Sequence, residues 1–158
     1  MHPIRFVAIA TEVADAFRAG RHDANGQPPE QHVSDGAGIP CRHCLQTVRK
    51  NDRYLILAYR PFSTVQPYAE VGPIFLHADP CVRHEPSAEI PASFFSAKDF
   101  LVRGYDARDR IIYGTGQIVS TGSLADVASR LLDQPQVAYL HVRSAKNNCY
   151  RCRIERAT

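Results

Sequence analysis

Two Cys-x-x-Cys pairs, Cys41/Cys44 and Cys149/Cys152, constrain this chain more than any other feature. Two-residue spacing lets one turn present both sulfurs, and four thiolates complete a tetrahedral zinc shell. If the pairs share an ion, the segment ending near residue 44 must meet the last strand. The pairs are separated by far more than the roughly 15–20 residues of a compact zinc motif. The second pair also sits in Cys149–Glu155, which reads as a strand, and a regular strand sends Cys149 and Cys152 to opposite faces. One ion then fits only if the strand starts after Cys149 or carries a bulge. Neither pair is followed by the glycine that zinc knuckles often use. The plain alternative is buried core or interface thiols.

A fifth cysteine, Cys81, makes the count odd, which argues against a complete disulfide framework. No apolar run approaches the ~20 residues of a membrane span. Met1–Ala10 is too short and too polar for a signal peptide. A cytoplasmic location with reduced thiols is therefore expected.

The chain has 158 residues, enough for an ordinary core without staples. Hydrophobic residues at 44% and charged residues at 22% exclude a disordered chain. Nineteen Lys+Arg against 16 Asp+Glu leave a net charge of +3, too mild to indicate nucleic acid or a membrane as partner.

Strands are expected at Ile4–Ile9, Tyr54–Tyr59, Ile74–Leu76, Val137–Arg143 and Cys149–Glu155. Phe100–Tyr105 and Arg110–Val119 read as a hairpin around Asp106–Asp109. Gly114 and Gly116 in its second arm suggest a bulge or a close backbone approach. Tyr54–Tyr59 is apolar on both faces and reads as a central strand. In Val137–Arg143, Ala138, Leu140 and Val142 share one face and Tyr139, His141 and Arg143 the other.

Two helices are expected. Glu12–Ala19 has Thr11 as N-cap and Gly20 as its stop. Leu124–Leu132 has a stripe of Leu124, Val127, Ala128, Leu131 and Leu132 and Ser123 as cap. Arg21–Pro40 is rich in turn pairs and reads as a long structureless loop. The fold class is α+β: one domain over residues 1–158, mainly antiparallel sheet, with two short helices and a long N-terminal loop.

Three readings of function follow. In the first, Cys41, Cys44, Cys149 and Cys152 bind structural zinc, fastening the N-terminal loop to the last strand. In the second, the protein is a thiol-dependent enzyme. Cys41, beside Arg42 and His43, is then a reactive thiol resolved by Cys44. His77 and Cys81 form a base–nucleophile pair only if their loop puts them in contact. Cys41 and His77 are the catalytic candidates. In the third, the protein is a non-catalytic, metal-free module binding a small anion or a partner. Its ligand residues are Arg60, His77, Arg143, Asn147 and Asn148, polar groups collected at strand ends. Cys41-x-His43 with Cys81-x-x-His84 formally matches the Cys2His2 set of Rieske centres, without that fold's glycines and prolines.

Longer motifs carry a resemblance. Pro40-Cys41-Arg42-His43-Cys44-Leu45, Ala58-Tyr59-Arg60-Pro61-Phe62, Gly72–Ala78 and His141–Tyr150 are its main segments, with Asp23–Gly26 and Tyr113–Gly116. Through them the chain resembles, essentially from end to end, a bacterial family catalogued as domain of unknown function 1203. The resemblance implies a stand-alone bacterial domain of about this size. It carries no activity, cofactor or catalytic residue to individual positions.

Overall fold

The computed structural model describes residues 1–158. Its strands are β1 (Ile4–Val7), β2 (Glu30–Val33), β3 (Ile39–Pro40), β4 (Thr47–Val48), β5 (Arg53–Tyr59), β6 (Gly72–His77), β7 (Asp99–Tyr105), β8 (Gln117–Ser120), β9 (Tyr139–Ser144) and β10 (Tyr150–Arg156). Its helices are α1 (Thr11–Arg18) and α2 (Leu124–Leu132). The class is α+β with mainly antiparallel sheet, as the strand-rich pattern implies.

The main sheet has the order β1-β10-β9-β7-β8, and every pair is antiparallel. A second sheet runs β2-β5-β6, and β3-β4 is a small hairpin. The apolar stripe of α2 packs on one face of the main sheet. Leu124, Ala128 and Leu132 meet Phe6, Phe100, Val102, Leu140, Val142 and Ile154, all fully or nearly fully buried. At roughly 25 cal/mol per Å² of buried apolar surface, this layer is the main source of stability. A second cluster, with Ala14 and Phe17 of α1, Leu55, Leu57, Ile74 and Leu76, holds the smaller sheet.

One bulge lets β10 serve both clusters. Tyr150 pairs with Arg143 and Cys152 with Val142, leaving Arg151 without a partner. Tyr150 therefore packs in the α1 cluster, whereas Cys152 and Ile154 pack under α2. An unbulged strand would put 150, 152 and 154 on one face. β9 is buried on both sides: Leu140 and Val142 face α2, and Tyr139, His141 and Arg143 form the opposite face.

Several expectations change. Arg21–Pro40 is not structureless, because it contains β2, paired with β5 from Glu30↔Ile56 to Val33↔Arg53. All four residues of β2 are exposed, so no alternation of apolar residues marks it. The Asp23 carboxylate anchors the same segment by accepting the amides of Asn25, Gln27 and Ala58. The second arm of the 100–119 hairpin is regular only from Gln117. Gly114 and Gly116 are open; the close approach is at Gly104, whose N–H donates to Thr115 Oγ1 at 2.9 Å. Neither expected cap forms. A 3-10 turn over Thr121–Ser123 draws Ser123 into helical geometry, and Thr11 lies inside α1 with its hydroxyl committed to His43. No helix is long and apolar enough to cross a membrane.

Candidate metal centre

The first Cys-x-x-Cys pair occupies the turn between β3 and β4. Cys41 N–H donates to Gln46 O at 2.9 Å, and Leu45 N–H returns to Cys41 O at 3.0 Å. This is the knuckle geometry in which successive backbone groups curl round a point. Its last residue needs a left-handed backbone, the usual place of glycine. Here Leu45 takes that position, with φ of 56°. Strain of this kind costs on the order of 1 kcal/mol. Burying the Leu45 side chain in the α2 core offsets it. Arg42, pointing the other way, fixes the turn from behind: its Nε donates to Tyr150 O and its Nη1 to Pro40 O, both at 2.7 Å.

The facing half comes from the end of β6 and the loop after it. β6 pairs with β5 up to Tyr54↔His77. Asp79 then meets Arg53, Pro80 ends any further pairing, and Cys81 turns back. His77 N–H donates to Cys41 Sγ at 3.4 Å, and His77 Nδ1 lies 3.5 Å from Cys44 Sγ. Cys41 Sγ and Cys81 Sγ are 4.0 Å apart. The ligand atoms of Cys41, Cys44, His77 and Cys81 all lie within 4.8 Å of one another. A zinc ion bonded at ~2.3 Å to sulfur and ~2.0 Å to nitrogen sets tetrahedral edges of about 3.8 Å S···S and about 3.5 Å S···N. The cluster is compatible with metal binding.

A second layer of donors faces these sulfurs. Arg18 of α1 donates from Nη2 to Cys81 Sγ at 3.1 Å and from Nε to His77 O at 3.0 Å. His43 Nδ1 lies 3.0 Å from the same sulfur, and its Nε2 lies 2.8 Å from Thr11 Oγ1. Burial first, then the Arg18 charge, lowers the His43 pKa and favours the neutral ring. With its proton on Nδ1, that ring would donate to the Cys81 sulfur and accept from Thr11 at Nε2. Three thiolates around a divalent ion would leave a charge of minus one, which Arg18 is placed to balance. Among the sulfurs, hydrogen bonds from Cys44 and Cys81 push the Cys41 thiol far down, and the same contact pushes Cys44 up. Hydrogen bonding to Cys41 and Cys81 raises His77 to about 10. In a pair of Cys41 thiolate and His77 imidazolium the imidazolium carries the proton, and a cation binding there would displace it.

The expected ligand set is corrected in its second half. Cys41 and Cys44 meet His77 and Cys81, not Cys149 and Cys152. Cys152 is wholly buried under α2, where burial raises its thiol to about 12. Cys149 sits in the β9–β10 turn, its sulfur 3.7 Å from Asn147 O. Both conditions that would have let that pair share an ion are met, since β10 starts at Tyr150 and carries a bulge, but Cys152 still turns into the core. The Rieske combination does not form, since neither His43 nor His84 belongs to the cluster. His77 and Cys81 are absent from the expected metal set; the sequence offers the two together only as a base–nucleophile pair, which their loop would have to bring into contact. Their signal is the His77-x-x-x-Cys81 spacing, which with Cys41-x-x-Cys44 approximates a two-plus-two zinc arrangement.

The catalytic candidates Cys41 and His77 both lie in the cluster. Cys41 is 1% exposed, and Arg42 turns its charge away from it. Cys44, His77 and Cys81 line a cavity of ≈ 410 Å³ that also receives Arg49 and Arg53.

The five expected ligand residues divide among three places. His77 is in the cluster. Arg60 lines a ≈ 420 Å³ cavity beside α1 with Arg21, His22 and Asp23. Arg143, Asn147 and Asn148 line a ≈ 210 Å³ cavity with Glu70. There Arg143 donates to Asn148 O and lies 3.9 Å from the Glu70 carboxylate, so that cavity is close to neutral.

The fold and cluster thus define a small α+β protein with a Cys3His constellation shared between the β3–β4 turn and the end of β6 with its following loop. Residues 38–156 match the family described as protein of unknown function (DUF1203), and the chain belongs to it. That match contains all four cluster residues; Asp23–Gly26 lies outside it. Searches of curated proteins and of solved structures give no match.

Proposed function

We propose that the protein is a zinc-binding domain in which Cys41, Cys44, His77 and Cys81 hold one structural ion. The observation that carries this reading is the convergence of four ligand atoms within 4.8 Å, at near-tetrahedral S···S and S···N separations. The donor set is soft enough to select zinc over magnesium or calcium. Four protein ligands leave no open position, so the ion's role is to pin the β3–β4 turn to the end of β6. Thiolate ligation of this kind suits a reducing compartment such as the cytoplasm.

The test is metal content by elemental mass spectrometry on protein purified without chelator, with a thiol count. About one zinc per chain is expected, with Cys149 the readily labelled thiol. Cys149→Ser and Cys152→Ala keep the metal, whereas Cys44→Ala and Cys81→Ala lose it. Metal retained by Cys81→Ala and lost from Cys152→Ala overturns the assignment.

The ≈ 410 Å³ cavity reaching Cys44 and Cys81 supports a second reading, thiol chemistry at Cys81 without a metal. Metal-free protein in which Cys81 alkylates fastest favours that reading.

A further inference from the structure

The largest cavity of the molecule, ≈ 590 Å³, lies where the β9–β10 turn approaches the start of β7. Its charged lining residues are Lys98, Lys146, Arg151 and Asp99. None of the three cations is in an ion pair. The surplus of two positive charges therefore faces the cavity uncompensated.

Arg151 is the residue left unpaired by the β10 bulge. Bulges re-aim side chains and concentrate beside functional sites. This one lays the guanidinium over the rings of Phe94 and Phe100, 5.0 and 5.3 Å from their centroids. Both rings are buried core residues, so stacking on them favours one placement of the guanidinium before any ligand binds. No protein acceptor takes its N–H groups. A planar fork held by apolar rings, with its donors free, suits bidentate recognition of an oxyanion. The backbone amides of Ala145, Lys146 and Asn147 on the adjoining turn also donate to no backbone acceptor.

We infer that this cavity is a binding site for a small phosphate monoester, with Arg151 gripping the phosphoryl oxygens and Lys98 and Lys146 neutralising its charge. A phosphate monoester carries about −1.5 to −2 at neutral pH, which matches the surplus charge. The volume falls within the roughly 300–1,000 Å³ of small-molecule sites and leaves room for an organic body. Asp99, at the rim of the same cavity, is available to accept a hydroxyl of that body. The site shares no lining residue with the metal cluster, so it stands whether or not zinc binds.

The test is a titration of nitrogen-15-labelled full-length protein with ribose 5-phosphate, inorganic phosphate, inorganic sulfate and ribose at fixed ionic strength. Saturable shifts are expected at the amides of Lys98, Ser144–Asn147 and Arg151 with ribose 5-phosphate, and none with ribose. Lys98→Ala with Lys146→Ala removes only exposed side chains. Losing two charge-assisted contacts weakens binding by about tenfold or more, with the melting temperature unchanged. Arg151→Lys keeps the charge and loses the fork, and also weakens binding. Equal responses to sulfate and ribose 5-phosphate, no saturable shift, or unchanged affinity in the double-lysine variant each overturn the proposal.

Discussion

The Nδ1 atom of His43 lies 3.0 Å from the sulfur of Cys81, although neither residue adjoins the other in sequence. His43 is wholly buried, and its far nitrogen is held by Thr11 at the start of α1. The hydroxyl expected to cap the helix instead orients an imidazole against the Cys81 sulfur of the cluster. The helix thereby joins the site's second layer, with Arg18 about two turns further along the same face.

Removing that support lowers metal affinity without removing a ligand. His43→Phe preserves ring volume and deletes the N–H donor. Outer-layer losses of this kind weaken metal binding by about 10–100-fold. A competitive titration against a chromophoric chelator should show that decrease with one ion still bound per chain. Thr11→Val should give a smaller decrease, because His43 keeps its contact and loses only its orientation. Unchanged affinity in His43→Phe would reduce His43 to a packing residue.

How much of this was legible in the sequence depends on where each element buries its side chains. α2 and β9 are read correctly because their apolar stripe and alternation face a core. β2, Glu-Gln-His-Val, is not, because an edge strand exposed on both faces carries no burial pattern. Half of the metal cluster is legible in Cys41-x-x-Cys44. The other half is obscured by a competing pair of identical spacing. What separates the two pairs is the bulge at Arg151, a backbone irregularity that residue spacing does not reveal. Pro80 argues against a helix between His77 and Cys81, so their spacing alone implies no contact; they meet because β6 ends at His77 and the loop after it turns back.

Acid stability should report on His141. This ring is 1% exposed, between Tyr105, Tyr150 and Phe62, with Arg143 against its Nδ1. Burial first, then the charges of Arg143, Arg153 and Arg103, hold its pKa well below the ordinary 6.5. In the folded protein it stays neutral, while the unfolded chain takes up the proton below 6.5. Stability is therefore present above that pH and is lost as the pH falls toward the folded-state value. The slope is about 1.4 kcal/mol per pH unit for this one proton. Denaturant unfolding at a series of pH values should give a steeper acid loss for the native chain than for His141→Gln. Protonation of the metal ligands affects both proteins alike, so the difference in slope belongs to His141. Parallel curves would show that His141 does not carry the effect.

Among the glycines, Gly104 sits in the closest approach. A Cβ there would lie 3.0 Å from Thr115 Oγ1, 3.1 Å from its Cβ and 3.2 Å from its Cγ2. Thr115 cannot swing away. It is 2% exposed, and its hydroxyl receives the Gly104 amide while donating to Ile112 O at 2.5 Å. Gly104→Ala must push Thr115 outward and stretch both hydrogen bonds, at a cost of about 1–3 kcal/mol. The irregular Arg110–Gly116 segment, which this contact fastens to β7, should loosen with it. Gly116→Ala, two positions before Ile118, meets no atom within 4 Å and has an ordinary φ, so it should change stability by no more than about 0.5 kcal/mol. Urea unfolding of the two variants side by side separates the explanations. A large loss confined to Gly104→Ala assigns the glycine to the close approach. Equal losses in both would trace the effect to the backbone freedom of glycine in the unfolded chain. Thr115→Ser, which deletes the Cγ2 methyl and keeps the hydroxyl, should recover part of the loss when combined with Gly104→Ala.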